Sequence, residues 1–557
     1  MGKKRIIILV LVFLSIITCK NFLWATPVVA SYEETKLLIK RTDHQILYSS
    51  EDKMFFLDDK DKIYIKLNTL KTDMGVNGSY DDKHKIAVIT TKDKVFRFYG
   101  KENIVRVNGR IVNDIPFMKI VEGSPYIEVN SIKNDMKLYC NFIEKNNIIF
   151  MKNQMDTQHV ANVKKDSVKV KGKNSMFSNV VDELNKDEAF YVIEKEEYWA
   201  KILTANGVEG YIRKIDIENE RDEKGIEEDH TPIWKPATGK IIMTWEHVTS
   251  KNPNTSEIKN LQGVNVISPT WLSLTDASGG IKQNISKEYS TWAKAKGYKI
   301  WALFSNSFDC TLTDEFLNDA LAREKAINTV LKIVVENNLD GINIDFENVY
   351  LKNKDMLTTF IRELTPVFHE KGLVVSMDVT VKGGSENWSQ CYDRESLGLV
   401  VDYMPVMTYD EHWRTSPISG SVASMGWVDQ SIERILEEVN PNKVLLGVPF
   451  YTRAWMETPS KTKANKMDVT SKALSMESSN EIIKKYNLSK IWDESSGQHY
   501  VAYIDNNILY KIWIEDGKSM GLRADIANKY NLAGVAGWRR GFETEDIWTV
   551  LDQKLNY

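Results

Sequence analysis

From Lys240 onward, short apolar runs alternate with amphipathic helical stretches, and no other feature of this chain narrows its fold as much. The runs are 241–245, 264–267, 299–303, 341–345, 374–377, 403–407, 444–448 and 534–538. Helical periodicity separates several of them, over 314–338, 355–371 and 430–439. Eight such alternations predict a (β/α)8 barrel. The long gap from Phe450 to Leu532 predicts an α+β insertion before the last strand. A doubly wound open sheet would also alternate, but no glycine-rich phosphate fingerprint opens a helix here.

With 557 residues the chain exceeds what one core organises, so several domains are expected. Upstream of the barrel, residues 35–153 contain a diverged repeat. Tyr64–Met74 (YIKLNTLKTDM) recurs as Tyr126–Met136 (YIEVNSIKNDM), and Ile86 falls opposite Ile148 at the same offset. Each copy predicts a strand, a short helical piece and a second apolar strand. Residues 163–217 then show short strands between polar turns, which predicts a small β-barrel. Residues 218–234 open with dense charge and predict a solvated linker, leaving 235–557 to the (β/α)8 barrel.

The N-terminus reads as an export leader. Lys3, Lys4 and Arg5 precede the apolar run 6–18, which is short for a membrane span, and cleavage is expected near Ala25. The alternative is an uncleaved anchor. Thr18 before Cys19 fits a lipoprotein site poorly. The expected location is therefore extracellular, cell-wall or spore-associated. Net charge is −4, which excludes a nucleic-acid binder held by a broad basic face. Cys140, Cys310 and Cys391 are scattered without metal-ligand spacing and read as buried thiols, so no metal and no cofactor is expected.

Chemistry concentrates in Leu339–Glu347 (LDGINIDFE). Asn343, Asp345 and Glu347 stand at alternate positions, so a strand sends all three to one face. Ile342, Ile344 and Phe346 take the other face, under the helices. A charged outer strand would alternate in the same way. On an interior barrel strand, however, two carboxyls and an amide are costly unless they hydrogen-bond and act. Closely spaced carboxyls also push their pKa values apart, which keeps one of them protonated as an acid.

This segment resembles the signature of glycoside hydrolase family 18, the chitinase-like barrels. The family pattern is matched by Asp340, Gly341, Asp345 and Glu347, while Asn343 stands where many members carry Asp. Two further motifs follow in family order, Met407–Asp410 (MTYD) and Gly534–Trp538 (GVAGW). Tyr510–Trp513, Ser519 and Arg523 also resemble the family's approach to its last strand. The resemblance implies that Glu347 is the proton donor, Asp345 orients the substrate acetamido group and Tyr409 bonds its oxygen. Asp340, Asn343, Met407, Asp410 and Trp538 are assigned to substrate binding, with Met407 as a pocket wall and Trp538 beneath the sugar. His412 and Trp413 stand next to Asp410 as further candidates for the cleft. The implied mechanism is substrate-assisted and retaining.

The repeat resembles the copper amine oxidase N-terminal module, and residues 163–217 resemble bacterial Src-homology-3-like domains. Both resemblances imply attachment to the bacterial cell wall, the alternative being spacer modules without a ligand. The implied partner is an N-acetylglucosamine-containing polysaccharide, and the whole resembles spore cortex-lytic N-acetylglucosaminidases acting on peptidoglycan. Alternatives are a secreted chitinase and a catalytically silent, lectin-like barrel. Retention of Asp345, Glu347 and Tyr409 argues against the lectin.

Overall fold

The computed structural model describes residues 36–40, 46–49, 54–116, 118–460 and 467–557, with 46–49 described by backbone alone. The expected leader lies outside the described residues. The chain divides into two compact units. One holds residues up to 228 apart from 92–95; the other holds 229–557 together with 92–95. No helix among the described residues is long and apolar enough to cross a membrane.

In the first unit the repeat folds about its own matching strands. Ile63–Lys66 pairs antiparallel with Ser124–Glu128, setting Ile65 opposite Ile127. The hairpin Asn77–Asp81/Ile86–Thr90 has its counterpart in Leu138–Ile143/Ile148–Asn153. The two copies differ in the expected helical piece. Leu67–Met74 is an α-helix ended by Gly75 in the left-handed region at φ 67°. Residues 129–137 form only turns. There, Glu128 accepts from the backbone N–H groups of Asn130 and Ser131, and such local bonds compete with helix.

A seven-stranded antiparallel sheet follows, including Val168–Lys171, Ala189–Lys195, Trp199–Thr204 and Glu209–Arg213. Its last strand, Ile217–Glu223, overturns part of the linker reading. This strand pairs with Gln158–Val163, setting Ile217 against Val163 and Glu223 against Gln158. Its exposed charges are matched across the sheet: His159 bonds Asp222 and Glu220, and Lys195 bonds Glu220. Charge density misled because an edge strand needs only backbone partners and one covered face. The chain at Ile233 and Trp234 is tied down, although the Ile233 side chain is exposed. The N–H of Ile233 donates to Asp402, and Trp234 packs edge-on against Trp301 at 6.0 Å.

The second unit is a closed ring of eight parallel strands: β1 (Ile241–Glu246), β2 (Val266–Pro269), β3 (Lys299–Ser305), β4 (Gly341–Asp345), β5 (Val374–Met377), β6 (Met404–Met407), β7 (Val444–Pro449) and β8 (Gly534–Trp538). Each pairs with the next, and β8 pairs with β1 to close the barrel. The β5–β6 seam is made by a Ser376–Tyr403 bridge and by Val379–Thr380, which continues β5. Closure brings backbones very near one another. A Cβ on Gly534 would fall 1.9 Å from the carbonyl oxygen of Ile241, so only glycine fits there.

Strand alternation sorts the side chains into two cores. Ile241, Met243, Trp245, Leu303, Leu445 and Ala536 fill the barrel interior. Ile242, Ile342, Ile344, Phe346 and Val535 face the helices with Phe316, Leu357 and Phe360. Burying each of these large side chains contributes about 2 kcal/mol. The helix expected over 314–338 is two helices, Cys310–Leu317 and Ala320–Glu336. Asp319 divides them because its carboxylate caps the second, accepting from the N–H groups of Leu321 and Ala322. Cys140 and Cys391 are buried as expected, whereas Cys310 is half-exposed at its helix start.

The insertion before β8 is a five-stranded antiparallel sheet with the helix Met476–Lys485. Its first strand, Tyr451–Pro459, leaves directly from the end of β7. That junction brings Tyr451 and Arg453 to the C-terminal end of the barrel.

Candidate active site

The C-terminal ends of the barrel strands surround a cleft of about 450 Å³. Asp345, Glu347, Met407, Tyr409, Asp410 and Trp538 all line it. Residues from three distant sequence motifs are therefore brought together by barrel closure. Two predicted site residues are not among them. Asp340 stands just before β4 at the opposite end of the strand. It accepts from Lys299 Nζ at 2.8 Å and from the N–H of Ile300 at 3.1 Å. Its role is to tie β3 to β4, because the strand's length separates it from the cleft.

Asn343 is fully buried one layer below the cleft. Its amide oxygen accepts from Trp245 Nε1 and Ser268 Oγ, each at 3.0 Å. Its amide nitrogen donates to Ser376 at 3.1 Å and to Asp378 at 2.8 Å. It supports the carboxyls above it and does not itself line the site. Of the neighbours of Asp410, the ring of His412 bonds the Ser421 carbonyl and packs near Trp455, while Trp413 is half-exposed. Neither lines the cleft.

Sequence reading missed four residues that matter. Asp378, just past the end of β5, is a third buried carboxyl in the cleft. Val374, Ser376 and Asp378 repeat the alternation seen on β4, and that signal was present in the sequence. Asn306 fixes the backbone of Glu347 from both sides, accepting from its N–H at 3.1 Å and donating to its carbonyl at 2.7 Å. Tyr451 donates to Asp410 at 2.7 Å, and Arg453 reaches the same oxygen at 3.1 Å. Asp410 has a φ of 61°, which turns the chain sharply after Tyr409. Nothing near Tyr451 or Arg453 in sequence marks them.

The electrostatics follow from burial. Desolvation raises the Asp345 carboxyl well above the ordinary range, and the charges of Glu347 and Asp378 add to this. Glu347 is pushed up to about 7, first by desolvation and then by Asp410. Asp378 is raised by desolvation too, against the lowering effect of its bonds from Asn343 and Trp245. The Oδ1 atom of Asp345 is buried and has no hydrogen-bond partner among the described residues. A buried acceptor without a partner is costly, so it stands ready for a donor on a bound molecule. The ring of Tyr409 lies at 6.1 Å from Tyr451, and Trp538 meets Trp245 edge-on at 5.9 Å. This set offers a proton held near neutral pH, an acceptor for an N–H, a phenol donor and an aromatic platform. His247 is the cleft's one imidazole, beside Trp538 at 6.0 Å.

Comparison with known proteins agrees with this geometry. The family model for glycosyl hydrolases family 18 matches residues 240–543, more than half of the chain, and that for the copper amine oxidase N-terminal domain matches residues 48–151. The uncharacterized glycosylase YvbX of Bacillus subtilis (strain 168) is 27% identical over 288 residues, covering 50% of this chain and 80% of that protein. The cortical fragment-lytic enzyme of the same organism is 25% identical over 260 residues, covering 46% of this chain and 58% of that protein, less than two thirds of its length. Among solved structures, the spore cortex-lytic enzyme SleL of Bacillus megaterium QM B1551 shares the fold with a TM-score of 0.51 at 18% identity, covering 58% of this chain and 75% of SleL. With the eight-stranded barrel, the carboxyl-lined cleft and the match over 240–543 in hand, the chain belongs to family 18 of the glycosyl hydrolases and is a glycosidase.

Proposed function

We propose that this protein hydrolyses β-linked N-acetylhexosamine glycans, specifically peptidoglycan of cell wall or spore cortex, with the substrate's own acetamido group as nucleophile. One observation carries the reading. A buried, unpartnered carboxylate oxygen on Asp345 lies beside Glu347, whose carboxyl is pushed up to about 7. In this mechanism Glu347 gives its proton to the leaving glycosidic oxygen as the acetamido oxygen attacks the anomeric carbon. The C–O bond to the leaving sugar breaks and an oxazolinium ion forms. Asp345 accepts the acetamido N–H and stabilises its growing positive charge, while Tyr409 donates to the acetamido oxygen. Glu347, now a carboxylate, takes a proton from the water that opens the ring, and configuration is retained after two inversions. Asp410 holds the sugar, with Tyr451 and Arg453 behind it, and Trp538 lies beneath.

Similarity to a cortical fragment-lytic enzyme supports peptidoglycan as the substrate. We infer that the first unit holds the enzyme on the wall, raising the local concentration of insoluble substrate, and that residues 1–25 direct export. The test is digestion of muropeptide glycan with and without the N-acetyl group at the cleaved sugar, with product masses and anomers read out. Cleavage should vanish on the de-N-acetylated glycan, and products should retain configuration. An inverted product, or brisk cleavage without the N-acetyl group, refutes the mechanism. Loss of wall binding on removal of residues 36–228 checks the role of the first unit.

A further inference from the structure

The cleft extends beyond the catalytic carboxyls along a hairpin inserted after β2, Leu272–Asp276 and Gly280–Gln283. Strand register sets four cleft-lining residues in one row. Lys282 pairs with Ser273, Ser273 with Ser305, and Ser305 with Asp345. Lateral partners share a face of the sheet. With neighbouring strands about 4.8 Å apart, the Cα of Lys282 lies about 14 Å from that of Asp345 along the row, and its flexible stem shortens the gap. The two residues between them in the row, Ser273 and Ser305, carry small side chains.

The hairpin is held rigidly. Trp271 is buried at its base, its indole donates to Asn252 at 2.7 Å, and Asn252 in turn donates to the carbonyl of Asn284 at 2.8 Å. Lys282 is exposed and its ammonium forms no ion pair or hydrogen bond with another described residue, unlike many surface lysines of this chain. It is also the only lysine or arginine among the described lining residues, in a cleft that carries Asp345, Glu347, Asp378 and the Arg453-paired Asp410. For a neutral glycan, the ammonium meets only hydroxyl groups, a contact it makes equally well with water. For an acidic glycan, it supplies an opposite charge at the point where a sugar adjoining the scissile one would lie, in a cleft whose other ionisable lining groups are mostly carboxyls.

We propose that Lys282 binds an acidic substituent on the sugar adjoining the cleaved residue, making this cleft selective for N-acetylhexosamine chains that carry a carboxylate. The ether-linked lactyl acid of muramic acid has that chemistry, and chitin lacks it. The inference rests on the proposed glycan hydrolysis and deepens it by naming what distinguishes the substrate.

The test uses the full chain with three substrates: a muramic-acid oligosaccharide with a free lactyl carboxylate, its methyl ester, and a chitin oligosaccharide. The ratio of kcat/KM for the acid to that for the ester is the readout. In Lys282→Gln this ratio should fall about fivefold, the upper end for an exposed ion pair. Lys282→Arg should restore it, Lys282→Glu should lower it further, and added salt should shrink the wild-type ratio toward that of Lys282→Gln. A ratio equal in wild type and Lys282→Gln overturns the inference while leaving glycan hydrolysis standing. Wild-type cleavage of chitin but not of either muramic-acid substrate overturns both this inference and the peptidoglycan reading. Failure on all three substrates refutes the proposed function itself.

Discussion

Asn343 donates a 2.8 Å hydrogen bond to a carboxylate oxygen of Asp378, joining β4 to the end of β5 beneath the cleft. Where many members of the family carry a carboxyl, this chain carries an amide, and the third acid of the cluster comes from the neighbouring strand. The amide favours the charged form of Asp378 and, being neutral, adds no further acid to the group formed by Asp345, Glu347 and Asp378. Asn343→Asp removes that donor and adds a competing acid. The cluster should then hold its protons to higher pH, and the acid limb of the kcat/KM profile should move up by about one pH unit. A pH–rate profile that superimposes on wild type would mean that Asn343 only fills space.

The alkaline limb should report Glu347. An acid pushed up to about 7 is competent below that pH, so kcat/KM should decline as pH rises through about 7. Asp410 is the second cause of the shift. Asp410→Asn removes its negative charge, makes ionisation of Glu347 easier and should move the limb to lower pH. It should also lower activity by loosening the sugar, but only the position of the limb tests the electrostatic coupling.

Glu347→Gln should lower hydrolysis by at least about 10²-fold. It should also change stability with a definite sign. The folded pKa of Glu347 is raised above its ordinary 4.5, so its contribution to stability is full below pH 4.5 and is lost as pH rises through about 7. Glutamine cannot ionise and escapes that loss. The variant should therefore melt like wild type at pH 4 and be more stable at pH 8 by about 3 kcal/mol. Thermal melts at the two pH values decide this, and equal melting at pH 8 would contradict the burial of the charge.

Arg523 and Glu515 form an ion pair at 2.6 Å in which both side chains are fully buried. Arg523 also donates to the carbonyl of Ala423, and Glu515 accepts from Gln498 and Ser519. Arg523→Met leaves Glu515 buried without its cation and should cost about 3–5 kcal/mol. The double variant Arg523→Met with Glu515→Gln should recover a large part of this loss, since the uncompensated charge is gone. Denaturant unfolding of the single and double variants measures the difference. Equal losses would show that packing, not charge, holds this junction.

Much of the barrel was legible because its strands are local signals. Gly341–Asp345, Val374–Met377 and Gly534–Trp538 begin and end where the apolar runs do. The acids on β4 were legible for the same reason, since alternation alone shows which side chains share a face. Asp378 could have been read from the same alternation on β5. The edge strand Ile217–Glu223 could not, because its partner lies far back in the chain and its own composition is that of a loop.

Local pattern and residue chemistry by themselves determined the eight strands, the inward face of β4, and a pair of carboxyls suited to acid catalysis on that face. Tertiary structure alone decided that Asp340 serves the far end of the strand, that Asn343 lies beneath the site, and that Tyr451 and Arg453 reach Asp410. It also decided that Lys282 shares a row with Asp345. The physical reason is that a pKa set by burial, and a contact made by strand register and barrel closure, depend on what the rest of the chain places nearby. Neighbours in sequence carry no record of either.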